Sequence, residues 1–178
     1  KSSGIWLVAD VIQGVGVRPF NFHDSGFDIV CGGSHKYLCS GYGAGYMLTK
    51  KNRILELDPI GIGAMTFGTP DTVKSFSSKP KSDGTRYEPG TKSMVEIIGM
   101  GATLDLFAEI GIENIYSQAS KMADRLRSGL RDLKFQVISK DGPILNFYSD
   151  DSGKLNKASD KLSSAKVSFA KRGPGIRL

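Results

Sequence analysis

Short apolar runs that end in glycine or a polar residue constrain the fold of this chain more than any other feature. "GIWLVAD" (4–10) and "FDIVCGG" (27–33) have the length and composition of strands buried on both faces, which is typical of a parallel sheet. A third run, "AGYMLTKK" (44–51), predicts a third strand. Because ligands bind at the carboxyl ends of such strands, we expect functional residues at Asp10 and just after the second run.

The second half of the chain shows helical periodicity. "SMVEIIGMGATLDLFAEIG" (93–111) predicts a helix with Ser93 as its cap, and "IENIYSQASKMADRLRSGLRDL" (112–133) predicts an amphipathic helix. Between these helices and the first three strands, residues 68–92 are rich in Gly, Pro, Ser, Asp and Lys and predict a long surface segment. The later predicted elements are two strands, a charged helix and a last strand, at 135–139, 143–149, 154–166 and 166–173. This order indicates an α/β architecture.

Composition narrows the function classes. The 178 residues carry 24 Lys and Arg against 18 Asp and Glu, but the basic residues are scattered, so no nucleic-acid surface is predicted. There is no signal peptide and no apolar run of membrane-spanning length, and two cysteines make no disulfide framework, so a cytoplasmic protein is expected. Both ends look cut, which predicts a piece of a longer subunit.

A lysine stands between two glycine-rich runs in "CGGSHKYLCSGYGAGY" (31–46). Lys36 follows a predicted strand end, and a lysine whose amine can be neutral is the nucleophile that forms a Schiff base with a carbonyl. Ser34, His35 and the free amides of the glycines are donors that suit an anion such as phosphate. The alternative is an ordinary surface lysine in a glycine loop.

Asp10 ends the first predicted strand, where a carboxylate is partly desolvated and needs a positive partner. The protonated ring nitrogen of pyridoxal phosphate (PLP) is such a partner, and this pairing makes the ring an electron sink. Gln13 follows three residues later and could donate to the phenolic oxygen of the ring. As alternatives, Asp10 could cap a helix or form a turn.

Two other kinds of ligand site are not supported. Cys31, His35 and Cys39 are evenly spaced, which would suit zinc ligands on a helix, but the segment is too rich in glycine to be helical, so no metal is predicted. The glycine pairs never complete Gly-x-Gly-x-x-Gly after a strand, and a P-loop is absent, so a nucleotide site is not predicted either.

Residues 9–48, "ADVIQGVGVRPFNFHDSGFDIVCGGSHKYLCSGYGAGYML", resemble the cofactor segment of the class V aminotransferases, a family that includes cysteine desulfurases and isopenicillin-N-epimerase-like enzymes. The matching positions are Asp10, Gln13, Asp28, His35, Lys36, Gly43 and Gly45. The resemblance implies PLP as cofactor and Lys36 as the residue of the internal aldimine. It also implies that Asp10 pairs with the pyridine nitrogen, Gln13 contacts the phenolic oxygen and His35 helps to bind phosphate.

Two further motifs agree with this resemblance. "RYEPGT" (86–91) is similar to the family's Arg-aromatic-Glu-x-Gly-Thr stretch, which implies that Thr91 reaches the cofactor phosphate of a neighbouring subunit in a homodimer. "RGPGIRL" is similar to Arg-x-Gly-Gly-Ile-Arg, which implies that Arg177 binds the substrate carboxylate. Gly33 stands where the family often has Ser or Thr, so Ser34 is expected to supply that phosphate contact. Thr91 as a helix cap and Arg177 as a solvated residue stay open.

The resemblance implies a fold-type-I PLP-dependent transferase that acts on an amino-acid substrate, with aminotransferase or epimerase/lyase-like chemistry. Residues 1–111 would be part of the PLP-binding, mainly parallel-sheet large domain, and residues 112–178 a bridging helix with most of an α+β small domain. A cysteine desulfurase is less favoured, because no cysteine lies just before "RGPGIRL", where desulfurases carry their sulfur-accepting loop. The alternative of another class is a truncated, non-catalytic half of such an enzyme.

Overall fold

The structure is a computed structural model that describes residues 4–68 and 79–178. The chain divides into two compact units, Lys1–Gly16 with Phe20–Glu109 and Val17–Pro19 with Ile110–Leu178. The division at Ile110 lies next to the predicted boundary at residue 112. That the two units are the large and small domains of a PLP enzyme stays a prediction.

The first unit contains a three-stranded sheet in the order β1 (Val8–Asp10), β2 (Ile29–Gly33), β3 (Gly45–Thr49). β1 runs parallel to β2, with Asp10 beside Cys31, and β3 runs antiparallel to β2. The parallel pairing continues past the end of β1, where the Val11 amide donates to the Cys31 carbonyl at 2.8 Å. The carboxyl ends of β1 and β2 therefore lie at the same edge of the sheet, as predicted.

The predicted burial of the first strand on both faces is wrong for this chain. Ile5, Leu7 and Val8 are 65%, 45% and 59% exposed, whereas Val30 at the centre of β2 is fully buried. Within this sheet, as far as the described residues go, only β2 has a paired strand on each side, and Ile5, Leu7 and Val8 stay largely uncovered. The composition of this run predicted a strand correctly, but three of its apolar side chains are largely exposed to solvent.

A buried ion cluster holds the other end of this sheet. The Asp28 side chain is 1% exposed and pairs with Arg53 at 3.1 Å and Lys50 at 3.8 Å. It also accepts a hydrogen bond from the Leu7 amide at 3.0 Å, and the Arg53 guanidinium lies 3.7 Å from the centre of the Trp6 ring. The cluster joins the segment before β1, the residue before β2 and the residues after β3.

The helices of the first unit follow the sheet. The described part of the unit has three short ones, a 3-10 helix Lys51–Glu56, α1 (Ala64–Phe67) and a 3-10 helix Gly84–Tyr87, and one long one, α2 (Met94–Ile110). α2 lies within one residue of its predicted bounds. Part of the predicted surface segment, residues 69–78, lies outside the described residues, and Arg86 within the rest is only 5% exposed. No helix in the described ranges is long and apolar enough to cross a membrane.

The second unit packs two helices on an antiparallel sheet. Its elements are α3 (Ile112–Asp132), β4 (Gln136–Val137), β5 (Asn146–Tyr148), α4 (Ser152–Ser164), β6 (Ala170–Arg172) and β7 (Gly175–Arg177), with strand order β4-β5-β7-β6. The core is built from Leu130, Leu145, Phe147 and Ile176. α4 begins two residues earlier than predicted, because the Asp151 carboxylate caps it by accepting from the Lys154 amide at 3.1 Å. The sequence did not predict β7.

Candidate functional site

The turn after β1 presents a carboxylate at the carboxyl edge of the sheet. Asp10 Oδ1 accepts a hydrogen bond from the Ile12 amide at 2.9 Å, and the Gly14 amide closes the turn on the Val11 carbonyl at 2.9 Å. Oδ2 of Asp10 has no hydrogen-bond partner within the described residues, and the side chain is exposed. Asp10 thus forms the turn with one oxygen and offers the other to a ligand. Gln13 lies half-buried in the same turn.

Residues 34–44, which we call the lysine loop, close around Ser34. Its hydroxyl lies 2.6 Å from the Gly41 carbonyl and 3.0 Å from the Ala44 carbonyl, its amide donates to Ala44 at 3.1 Å, and its carbonyl accepts from the Ser40 amide at 3.0 Å. Ser34 is fully buried. A hydroxyl has a single proton to donate, so this geometry counts against the phosphate contact predicted for Ser34.

Lys36 and His35 lie on the outside of this loop. The Lys36 amine is exposed and makes no hydrogen bond or ion pair with any other described residue. A Cβ placed on Gly33 would lie 3.1 Å from Ile12 Cδ1 and 3.2 Å from His35 Nδ1, so the imidazole, the end of β2 and the Asp10 turn meet here. The structure therefore brings the predicted residues at 10, 35 and 36 to one edge of the sheet.

Gly16 fixes the approach of the Asp10 turn to the lysine loop. Its φ is +98°, a conformation that favours glycine, and a Cβ there would press on the Tyr37 carbonyl and lie 2.9 Å from the Leu38 amide nitrogen. Backbone therefore packs directly on backbone at this point. This contact explains why position 16, in "QGVG" (13–16), is a glycine.

Two tyrosines of the site were not predicted from the sequence. The Tyr42 ring stacks on His35 with ring centroids 4.8 Å apart and an angle of 20°. The Tyr46 hydroxyl is buried and has no hydrogen-bond partner among residues 4–68 and 79–178, and a Cβ on Gly32 would lie 2.5 Å from it. Glycines at 32 and 33 were the available signal, because they leave room for the close approach of aromatic rings.

The environment of Tyr46 gives a titration test of this arrangement. Burial raises the pKa of its phenol above 10.0, and the negative charge of Asp10 raises it further. We expect Asp10→Asn to lower the pKa of Tyr46 towards its usual value, because only the charge is removed. The measurement is the ultraviolet absorbance of phenolate against pH, with Tyr46→Phe subtracted to isolate this one tyrosine. If the pKa of Tyr46 is unchanged in Asp10→Asn, the Asp10 carboxylate does not act on this phenol.

Thr91 lies exposed in the same unit, before α2. It lines a cavity of about 310 Å³ together with Lys81, Lys92 and other residues. Ser93 starts α2 instead, because its carbonyl accepts from the Ile97 amide at 3.1 Å, and the Thr91 side chain makes no hydrogen bond among the described residues. The threonine is therefore available to a ligand, and its predicted phosphate contact stays a prediction.

Arg177 belongs to the second unit. It lies in β7, beside Asn146 of β5 and Ala170 of β6, and is half-buried with no ion pair to a described residue. Its predicted contact with a substrate carboxylate stays a prediction. Across residues 4–68 and 79–178 no group of three or more His, Cys, Asp or Glu side chains could hold a metal ion, and Cys31 and Cys39 are free thiols.

These residues fit PLP. The cofactor needs a carboxylate for its ring nitrogen, an amine for its aldehyde and donors for its phosphate. Asp10 Oδ2, the Lys36 amine and the His35 imidazole make no hydrogen bond or ion pair with the described residues and lie at the carboxyl edge of one sheet. The fold and the site together define the class of fold-type-I PLP-dependent enzymes.

Comparison with known proteins gives the family within this class. The model of the family "Aminotransferase class-V" matches residues 1–151. The chain belongs to the class V aminotransferase family, whose members depend on PLP. The family, the fold-type-I fold class and the cofactor class predicted from the sequence are thereby confirmed.

The relatives have different activities. The chain is 28% identical over 134 residues to a probable cysteine desulfurase of Pyrococcus abyssi, covering 75% of this chain and 33% of that protein. It is 27% identical over 145 residues to a kynureninase of Debaryomyces hansenii, covering 77% and 32%. An apo cysteine desulfurase structure from Thermococcus onnurineus NA1 superposes with a TM-score of 0.85 at 19% identity, covering 99% of this chain and 48% of that one. The chain thus spans about a third of these curated relatives.

Proposed function

We propose that this chain forms the lysine-bearing part of a PLP-dependent enzyme that acts on an amino acid. The observation that carries the proposal is the meeting of Asp10, His35 and Lys36 at one sheet edge, each with a functional atom unpaired among the described residues. When bound, PLP supplies an electron sink for the α-carbon of the substrate. Family membership supports the same cofactor.

Each residue at this edge takes one task. Lys36 would hold the cofactor through its aldehyde, and its free amine could move a proton at the substrate α-carbon. Asp10 Oδ2 accepts from the protonated ring nitrogen, which keeps the ring cationic. Gln13 donates to the phenolic oxygen and His35 to the phosphate. Ser34 holds the shape of the lysine loop, because its hydroxyl already donates within the loop.

Two further roles belong to residues outside this edge. Arg177 binds the substrate carboxylate, for which a planar guanidinium is a bidentate donor. Thr91 binds the cofactor phosphate of a second subunit, which makes the enzyme a homodimer, and its free side chain supports this role. A cytoplasmic location completes the proposal and is supported by the two free thiols.

The relatives leave two candidates for the reaction. Aminotransferase or epimerase/lyase-like chemistry is the first, because the sequence has no cysteine near Arg172, where a desulfurase would carry its sulfur acceptor. Cysteine desulfurase is the second, because several curated relatives carry that name. Both reactions require the same cofactor link at Lys36.

The first experiment adds PLP to the purified 178-residue chain and follows visible absorbance before and after borohydride. We expect a reducible absorption band and, after digestion, a reduced PLP adduct on the peptide that contains Lys36. A chain that forms no adduct would contradict the cofactor site and favour the non-catalytic half. An adduct spread over surface lysines would contradict the assignment of Lys36.

A further inference from the structure

Tyr42 is a large aromatic side chain at the surface of the lysine loop. It is 80% exposed, yet its ring has a defined contact, because it stacks on His35 at 4.8 Å between centroids with the planes 20° apart. A parallel or offset aromatic pair of this kind has a favourable energy beyond the area that it buries. His35 is also exposed, so burial does not hold its ring in place.

The turn that carries Tyr42 has contacts with Ser34 at both of its ends. The Ser34 hydroxyl contacts the carbonyls of Gly41 and Ala44, the residues on either side of the 42–43 pair. Gly43 has a φ of +104°, and a Cβ there would lie 3.2 Å from Glu96 Cγ. Glycine is favoured at this φ and the space is limited, so the turn next to Tyr42 depends on a glycine at position 43.

The imidazole of His35 has two close neighbours, Gly33 and Tyr42. Gly33 lies on one side, where a Cβ would be 3.2 Å from Nδ1 and 3.3 Å from Cε1, and the Tyr42 ring lies against the imidazole plane. Neither ring nitrogen has a hydrogen-bond partner in the described part of the chain. Stacking thus restrains the ring plane and leaves both nitrogens available to a ligand.

We infer that Tyr42 is a positioning residue that holds the His35 imidazole beside Lys36, so that a ring nitrogen faces a phosphate group. This inference rests on the proposed function for the identity of the ligand. It adds a residue that acts through His35. Substitution of an exposed ring leaves the core intact, so its effect can be measured on folded protein.

The test uses nuclear magnetic resonance of the full chain, which has only two histidines and hence two imidazole Cε1–H signals. A His23→Gln variant assigns them. We expect Tyr42→Leu to move the His35 signal, because the ring current is lost, while the His23 signal stays in place. We also expect Tyr42→Leu to weaken binding of inorganic phosphate by about threefold to tenfold. Tyr42→Phe keeps the ring, so it should show the wild-type His35 signal and the wild-type phosphate affinity.

The outcomes separate this inference from the proposed function. An unmoved His35 signal in Tyr42→Leu, or an unchanged phosphate affinity beside a moved signal, would overturn the positioning role. If the His35 signal of Tyr42→Phe resembled that of Tyr42→Leu, ring stacking would not be what sets the position of this signal. If PLP forms no reducible link to Lys36 in the wild-type chain, the proposed function fails, and the His35 signal still decides whether Tyr42 holds the imidazole.

Discussion

Replacement of Lys36 by alanine is expected to abolish the covalent attachment of PLP to this chain. The Lys36 amine is exposed, without a hydrogen bond or ion pair among the described residues, at the edge of the sheet where β1 and β2 end. No other side chain of the lysine loop has an amine that could form the link. Asp10 and His35 remain in the variant, so we expect non-covalent binding of PLP to persist at reduced affinity.

The measurement is the mass of the chain after incubation with PLP and borohydride. Lys51→Ala is the matched control, because it removes an exposed lysine of the same unit at the start of a 3-10 helix. The control should gain the mass of one reduced cofactor, and Lys36→Ala should gain none. Equal labelling of the two variants would show that the attached lysine lies elsewhere and would remove the central residue of the proposal.

The sheet edge where Asp10, His35 and Lys36 lie was predictable, because strand ends and polar residues can both be recognised in a sequence. One predicted strand ends in Asp10, and the next ends in glycines before Lys36. If the two strands are parallel, both ends lie at the same edge, and β1 and β2 are parallel. The contacts that the Ser34 hydroxyl makes within the loop could not be predicted from the sequence. Its hydroxyl direction depends on how residues 34–44 close, and this closure brings the carbonyls of Gly41 and Ala44 together.

Helix bounds could be predicted from the sequence, whereas burial could not. Ser93 and Gly111 flank α2 as the cap and stop signals predicted, because these signals are local. Burial depends on which other segments pack against a strand, and the local sequence of residues 4–10 contains no information about those segments. β7 was missed since "GIR" is too short to show a period and is defined only by its pairing with Asn146 and Ala170.

The largest expected loss of stability comes from Asp28→Ala. The carboxylate is 1% exposed, pairs with Arg53 and Lys50, and accepts from the Leu7 amide. Removal of the buried carboxylate takes the buried partner from Lys50 and Arg53, although Arg53 keeps Glu56, and the Leu7 amide also loses its acceptor. We expect the free energy of unfolding of this unit to fall by about 3 kcal/mol or more.

Trp6 reports this loss directly, because it is the single tryptophan of the chain and Arg53 stacks 3.7 Å from its ring centre. The measurement is urea unfolding followed by Trp6 fluorescence. Glu56→Ala is the control: Glu56 pairs with the same Arg53 at 2.9 Å, but its side chain is 50% exposed, so its removal should cost about 1 kcal/mol or less. Burial of the carboxylate is what distinguishes the two variants. Equal losses would mean that Asp28 contributes no more than a surface ion pair.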